Sequence, residues 1–293
     1  MFFLRGLLIV WMTFPYLWAA ESVPYELKDV GIEDKRGVQI SLDLEFINEE
    51  GKTVSLRSLF SDSKPVILTL VYYTCPNLCN LLLNGLVDVL KKFSWNIGDE
   101  FKIVSISIDP KETPRIAQAK KKNYLEEYCH SKEVIASETK QAHRGSDGIA
   151  TGSCRTLAMT KVSENWHFLT GREENIKKIA EELGFSYKYD PDQKQFAHGA
   201  ALFILTQEGV LSRTLYGIQF KEKDLRLSLL EASQGKIGNF VDRLLLFCYH
   251  YDPKGRRYSL YAVNFMKVGA LITVLGIVLL MFMLSRVRRK KLT

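Results

Sequence analysis

Two cysteines, Cys75 and Cys79, have the clearest capacity for chemistry in this sequence, and they stand in the segment CPNLC. Thiols four residues apart in a helix lie one turn apart on the same face. A helix N-terminus at this point would favour negative charge, so at least one thiol is expected to ionise more easily than an ordinary cysteine. A thiolate either binds metal or attacks a disulfide. The spacing alone also fits a structural disulfide or two buried cysteines without a chemical role.

The residues around this pair predict a strand followed by a helix. Residues 65–73 (PVILTLVYY) are almost entirely apolar, as expected for a parallel strand covered on both faces. After Cys75, apolar residues recur at the helical period and predict one buried stripe, formed by Leu78, Leu82, Leu86, Val89 and Phe93. Residues 101–108 predict a second strand, and Thr113-Pro114 begins a helix that ends near Tyr128.

Further patterns complete an α/β domain. Residues 38–46 and 52–56 predict an N-terminal β-hairpin, and residues 200–205 and 210–216 predict another. The capping-box spacing from Thr170 to Glu173 opens a helix through residue 183, and a last helix covers residues 223–233. This order predicts a mixed central sheet flanked by helices. Residues 131–164 lack a sustained period and are interpreted as a surface insertion.

The basic residues are concentrated at the two ends of the chain. The net charge is +7, but Arg5 and five residues of the C-terminal tail supply six of the positive charges: Arg286, Arg288, Arg289, Lys290 and Lys291. Apart from these six, 34 basic residues face 33 acidic ones. The body of the protein is therefore nearly neutral, and no nucleic-acid groove is predicted.

The same charges indicate a membrane protein. Residues 268–284 are uncharged and apolar, and the basic cluster follows them directly, which predicts a transmembrane helix at 265–285 and a cytoplasmic tail at 286–293. Residues 1–20 resemble a signal peptide, with an uncleaved anchor as the alternative. Between them we expect a domain at 21–235 and a juxtamembrane segment at 236–264. The body is expected outside the bacterial cytoplasmic membrane, in the periplasm.

Four motifs, in order and spacing, resemble the Sco/SenC family of copper-binding assembly proteins. They are YTCPNLC at 73–79, SISIDP at 105–110, FLTG at 168–171 and FAHG at 196–199. The resemblance covers roughly residues 38–217, apart from the insertion, and the segment FCYHYDP at 247–253 resembles a bacterial branch of the family. The family resemblance implies a thioredoxin-like fold with an added N-terminal β-hairpin.

In this family two cysteines and a distant histidine bind copper, and the match falls on Cys75, Cys79 and His198. The resemblance thus implies a Cu(I)/Cu(II) site, with His198 in a loop at the sheet edge. Donor chemistry agrees, since Cu(I) prefers thiolates and imidazole suits both copper oxidation states. Two departures affect the site: Ala197 replaces the aspartate that commonly precedes the histidine, and Asp109 lacks a second aspartate after it. Asp109 is either an outer-sphere group or a polar cap at a strand end.

The remaining cysteines have no assigned role. Cys129 and Cys154 are interpreted as isolated thiols or a structural disulfide, with a second metal site including His143 as the alternative. Cys248 and His250 lie close to the predicted membrane segment, where aromatic packing explains their neighbours without chemistry; passage of copper through these two residues is the alternative.

The leading hypothesis is a membrane-anchored metallochaperone that supports the dinuclear copper site of cytochrome c oxidase subunit II. Its partners would be that subunit or chaperones that donate copper. The main alternative is an enzyme, a thiol–disulfide oxidoreductase in which Cys75 and Cys79 are redox-active and reduce the cysteines of the oxidase. That activity usually uses a Cys-x-x-Cys spacing. A peroxidase is the third and weaker alternative, because peroxide-reducing enzymes share the fold.

Overall fold

The computed structural model describes residues 30–60, 62–75, 78–142, 159–234, 249–252 and 257–260, and helical residues 270, 273–277, 279 and 282. Several predictions from the sequence fall outside this part of the chain. They are the signal peptide at 1–20, the basic tail at 286–293, the middle of the insertion at 143–158 with His143 and Cys154, and Cys248. Among the described residues, no helix combines the length and apolar character needed to cross a membrane.

The described elements alternate between strands and helices, in agreement with the predicted α/β class. In chain order the strands are β1 (Gly31–Ile32), β2 (Glu45–Ile47), β3 (Thr53–Ser55), β4 (Val66–Val71), β5 (Lys102–Ser107), β6 (Trp166–Leu169), β7 (Phe185–Asp190), β8 (Gln195–His198), β9 (Ala201–Leu205), β10 (Leu211–Tyr216), β11 (Tyr249–Asp252) and β12 (Arg257–Leu260). The helices are α1 (Leu56–Leu59), α2 (Leu78–Lys92), α3 (Pro114–Ala142), α4 (159–165), α5 (Glu173–Glu182) and α6 (Glu222–Ala232).

The central sheet has the order β10-β9-β4-β5-β6. Strands β4, β5 and β6 are parallel, whereas β9 pairs antiparallel with both β4 and β10. All six residues of β4 and all six of β5 are buried, which fits strands in the middle of a sheet covered on both faces. Helix α2 contacts both α3 and α6. This is the predicted mixed sheet with flanking helices.

Smaller sheets attach the remaining segments. The N-terminal hairpin pairs β2 with β3, so it is confirmed but shorter than predicted, and Ile47 bridges to Thr170 beyond the end of β6. Strands β1, β7 and β8 form a separate three-stranded sheet that the sequence pattern did not predict. Strand β6 was also missed. Strands β11 and β12 pair with one another, in the segment predicted to precede the membrane.

The observed end of α3 and the observed start of α5 differ from the predictions. Helix α3 begins at Pro114 as expected but continues to Ala142, because residues 129–142 contain neither Gly nor Pro and half of them are good helix formers. Helix α5 begins at Glu173 with Arg172 as its N-cap, and Arg172 makes no side-chain cap hydrogen bond. Thr170 is therefore not the N-cap. Its hydroxyl donates instead to the Ile47 carbonyl at 3.4 Å, in the contact between hairpin and sheet.

Candidate metal centre

Strand β4 and helix α2 position the two cysteines. Cys75 lies in the connection after β4, and Cys79 lies in the first turn of α2, on the face that α2 buries. The predicted stripe is confirmed, since Leu82, Leu86 and Val89 are all buried along this face. The packing that holds α2 on the sheet therefore also places both sulfur atoms beside the end of β4.

His198 reaches the cysteines from the separate sheet. It is the last residue of β8, where it pairs with Tyr187 of β7, and it is buried. The prediction of a loop position was wrong, because the backbone hydrogen bonds of a short hairpin fix this residue. The rings of Tyr72 and Phe185 lie 5.9 Å and 5.8 Å from the imidazole, measured between centroids, and limit its movement.

The three side chains form one compact cluster. One ligand atom each from Cys75, Cys79 and His198 lie within 4.8 Å of one another, and Cys79 Sγ is 3.1 Å from His198 Nε2. The opposite ring nitrogen, Nδ1, donates to the Gly199 carbonyl at 2.7 Å. In a neutral imidazole this fixes the tautomer, so that Nε2 directs its lone pair at the thiols. The ring is oriented as a metal ligand requires.

Backbone N–H groups point at both sulfur atoms. The N–H of Tyr72 donates to Cys79 Sγ at 3.3 Å, and the N–H of Cys79 donates to Cys75 Sγ at 3.4 Å. Neither cysteine is in a disulfide in this structure. These donors stabilise negative charge on sulfur, so they support a pair of thiolates once each thiol proton has been removed.

Burial has the opposite effect on Cys79. Desolvation, together with the hydrogen bond to Cys75, raises the pKa of the Cys79 thiol far above its usual range. The thiol that ionises easily, predicted from the helix N-terminus, is therefore not Cys79. A buried thiol of this kind keeps its proton until a cation replaces it, because the isolated thiolate would be poorly solvated.

Tyr72 closes one side of the cluster. Its hydroxyl hydrogen-bonds with the Cys75 side chain, and burial followed by this hydrogen bond raises the pKa of the phenol. Tyr72 also packs edge-on against Phe196 at 5.5 Å between ring centroids. The aromatic ring thus separates the sulfur atoms from solvent, while its hydroxyl stays protonated and available as a donor.

A carboxylate that the sequence analysis overlooked anchors the cysteine-bearing segment. Glu112 accepts hydrogen bonds from the N–H groups of Tyr73 and Thr74, at 2.8 Å and 2.6 Å. It also accepts from the hydroxyls of Thr74 and Ser107, at 2.8 Å and 2.6 Å. Glu112 therefore ties the residues just before Cys75 to the end of β5. The only signal in the sequence was its position two residues after Asp109-Pro110.

Asp109 has a more local set of contacts. Its carboxylate accepts from the N–H of Lys111 at 2.9 Å, and its own N–H donates to the Ser107 hydroxyl at 3.1 Å. These bonds correspond to the polar cap that was one of the two interpretations. An outer-sphere role for Asp109 stays a prediction.

The donor set selects among metals. Two sulfurs and one imidazole nitrogen suit soft or borderline ions such as Cu(I) and Zn²⁺, whereas Mg²⁺ and Ca²⁺ require oxygen ligands. A structural zinc site normally has four protein ligands. Within the described part of the chain, the grouped ligands number three. The arrangement therefore fits a three-coordinate soft ion better than structural zinc.

Other candidate residues lie apart from this cluster. Cys129 is a buried, reduced thiol in α3, and its predicted alternatives with Cys154 or His143 involve residues outside the described ranges. His167 lies in β6, where its Nδ1 is 3.6 Å from a carboxylate oxygen of Glu49. Neither residue belongs to the group formed by Cys75, Cys79 and His198.

Comparison with known families agrees with the motifs. The model of the SCO1/SenC family matches residues 33–128, which include Cys75 and Cys79, and this confirms the resemblance predicted from the sequence. No curated protein sequence matches the chain.

Three solved structures align with this chain at low sequence identity. A crystal structure from Aquifex aeolicus, titled for a proposed role in electron transfer, aligns with a TM-score of 0.52 and 18% identity, over 69% of this chain and 96% of its own. Copper-bound ScoI of Arabidopsis thaliana aligns with a TM-score of 0.43 and 18% identity, over 66% and 99% of the two chains. Copper-bound ScoI of Bradyrhizobium japonicum aligns with a TM-score of 0.43 and 18% identity, over 67% of this chain and 98% of its own.

Proposed function

We propose that this chain, whose residues 33–128 match the SCO1/SenC family, carries copper on Cys75, Cys79 and His198 and delivers it to the dinuclear copper site of cytochrome c oxidase subunit II. One observation carries the proposal: the three ligand atoms lie within 4.8 Å of one another although His198 is more than a hundred residues from the cysteines. Copper is the cargo, and it would arrive from a copper-donating chaperone.

The chemistry of the cluster supports copper as that cargo. Two thiolates hold Cu(I), and the imidazole adds a ligand that both oxidation states accept. Burial of all three side chains excludes water, while the reduced state of both thiols leaves them ready to bind.

We also propose that the C-terminal segment anchors the domain to the outer face of the bacterial cytoplasmic membrane, as a helix at 265–285. Residues 273–277 are helical, and Val274, Leu275 and Ile277 are 57%, 59% and 53% exposed. Apolar side chains exposed along a helix require a covering phase, and the adjacent basic cluster favours a cytoplasmic C-terminus. An anchor on this side would hold the domain in the periplasm, close to the copper site of its partner.

A thiol–disulfide oxidoreductase is the second candidate function. It is favoured by the proximity of Cys75 and Cys79, whose sulfur atoms lie within 4.8 Å of each other and are not joined in a disulfide. In this function the thiols would reduce the disulfide of the partner, with His198 unnecessary as a ligand. Because the pKa of Cys79 is raised by burial and by the hydrogen bond to Cys75, the attacking thiolate in such an exchange would have to come from Cys75.

A deletion strain distinguishes the two functions. We expect loss of this protein to lower cytochrome c oxidase activity, and added copper to restore part of it, because excess metal replaces a carrier but not a reductant. His198→Ala should fail to restore oxidase activity, since it removes a metal ligand and leaves both thiols. His130→Ala, an exposed histidine of α3, is the matched control and should restore activity fully.

The opposite result would identify the reductase. Full restoration by His198→Ala, with Cys75→Ser inactive, would overturn the copper assignment. Restoration by a small thiol reductant in place of copper would lead to the same conclusion.

A further inference from the structure

Three consecutive lysines of α3 have three different environments. Lys121 is buried and forms an ion pair with Glu49. Lys122 has a side chain that is 74% exposed and lies 3.9 Å from Glu126. Lys120 is half-buried and turned toward α2, where its Nζ donates to Oδ1 of Asn80. Only the environment of Lys120 connects this run to the candidate metal centre.

A short chain of contacts joins Lys120 to the cysteine ligands. Asn80 follows Cys79 directly, and its Nδ2 donates to the Cys75 carbonyl at 2.9 Å. The ammonium of Lys120 also lies 5.8 Å from the ring centroid of Tyr124, whose hydroxyl donates to Asn84 of α2 at 2.9 Å. The amide, the aromatic ring and the packing of α3 on α2 thus hold one positive charge beside Asn80, the residue that follows Cys79.

Electrostatic coupling agrees with this placement. Burial lowers the pKa of Lys120, and the nearby thiols Cys79 and Cys75, followed by Glu112, oppose that lowering. Glu112 is the carboxylate whose charge acts on Lys120, but four hydrogen bonds from Tyr73, Thr74 and Ser107 already occupy its oxygens. The positive charge of Lys120 is therefore available to compensate negative charge on sulfur.

We propose that Lys120 sets the preference of the site for Cu(I) over Cu(II). This inference rests on the proposed copper-binding function. Two thiolates and a neutral imidazole carry a net charge of −1 with Cu(I) and are neutral with Cu(II). A fixed cation nearby stabilises the anionic complex more than the neutral one. The apo protein is the common reference for both ions, so the protonation of the thiols cancels from the ratio of the two affinities.

The test measures that ratio on the purified full chain, with Cu(I) under anaerobic competition against a chromophoric chelator and Cu(II) by its sulfur-to-copper absorption. We expect Lys120→Met to lower the ratio of Cu(I) to Cu(II) affinity about tenfold, which equals about 59 mV for a one-electron couple. Lys120→Arg keeps the charge and should stay within about twofold of the parent. Lys122→Met, which removes the same charge from an exposed position two residues away, should leave the ratio unchanged.

The outcomes separate the two proposals. A Lys120→Met protein that binds copper with the parent's ratio would overturn this inference alone, as would an equal loss of both affinities or an equal shift in Lys122→Met. Lys120→Gln repeats the measurement with a polar side chain and must agree with Lys120→Met. A parent protein that binds neither copper ion would overturn the proposed function and this inference together.

Discussion

Two buried polar clusters of this fold differ in how their charge is compensated. The ion-pair cluster consists of Glu49, Lys121 and His167: Glu49 accepts from Lys121 and from the N–H of Phe168, and Lys121 also donates to the Ser163 carbonyl at 2.6 Å. The metal cluster consists of Cys75, Cys79 and His198. Its three side chains are two thiols and one imidazole, and none of them is a cation that is paired with an anion in the cluster.

The difference separates a structural role from a binding role. The ion-pair cluster is complete, because a carboxylate and an ammonium neutralise one another and their remaining positions are hydrogen-bonded. It fastens the turn after β2 to α3 and to β6. The metal cluster gathers three donor side chains around a space that a soft cation would complete. Buried polarity by itself therefore does not indicate a site; three grouped donor side chains with no cation among them do.

Removal of one sulfur ligand from the metal cluster should have the largest effect of the changes that we predict. We expect Cys79→Ser to weaken Cu(I) binding about a thousandfold or more, which corresponds to about 4 kcal/mol, because a hydroxyl does not replace a soft thiolate. Chelator competition on the reduced full chain measures the affinity. Cys129→Ser is the matched control, since Cys129 is also a buried, reduced thiol but lies in α3, outside the metal cluster.

Equal Cu(I) affinities for Cys79→Ser and the parent would show that the metal cluster is not the copper site. Equal losses in Cys79→Ser and Cys129→Ser would show that the substitutions act through folding and not through ligation.

The ion-pair cluster should make the free energy of unfolding depend on pH in the acid range. Burial alone would raise the pKa of Glu49, but His167 and Lys121 together lower it to about 2. The 3.6 Å separation of His167 from the carboxylate exceeds ordinary hydrogen-bond length, so we assign Lys121 the larger share. A folded-state pKa below the unfolded value of 4.5 gives stability that is present above pH 4.5 and is lost as the pH falls toward 2.

Between pH 7 and pH 3 this group should account for a loss of about 2 kcal/mol in the free energy of unfolding. Glu49→Gln should lack that part of the acid dependence, as measured by urea unfolding followed through tryptophan fluorescence. Glu50→Gln is the control, because Glu50 is exposed and pairs with Lys52 at the surface. An acid dependence in Glu49→Gln that equals the parent's would remove Glu49 as the cause.

The positions of the two cysteines of the metal cluster could be predicted from local sequence patterns. An unbroken apolar strand and a helical apolar stripe are strong signals, so β4, α2 and the positions of Cys75 and Cys79 were predictable. His198 was identified from the family resemblance, but its strand was not, because β8 is four residues long and only half-buried at its first three positions. The hydrogen bonds to β7 that define β8 have no counterpart in the sequence pattern.

Long-range polar contacts explain the other failures. Strand β6 has four residues, three of them apolar, and periodicity alone does not distinguish so short a run from a helix start. Glu112 was overlooked because its partners come from the segment after β4 and from β5, which meet only in the folded chain. The same holds for Lys120, which is one lysine among three until α3 packs on α2.

The support of the cysteine segment by Glu112 leads to the smallest effect that we predict. Glu112→Gln keeps the shape of the side chain but places an amide N–H₂ group where one carboxylate oxygen accepted hydrogen bonds. At least one of the N–H donors of Tyr73 and Thr74 then loses its partner, and the segment that leads to Cys75 is held less firmly. We expect Cu(I) affinity to fall about tenfold, or about 1.4 kcal/mol, since both sulfur ligands remain and only their positioning is weakened. Asp109→Asn is the matched control, because Asp109 lies three residues earlier and, among the residues that the structure describes, its carboxylate accepts from the N–H of Lys111 in its own turn. Chelator competition on both variants measures the two affinities side by side. A tenfold loss in Asp109→Asn with none in Glu112→Gln would assign the supporting role to Asp109, and with it the outer-sphere position that the sequence had suggested.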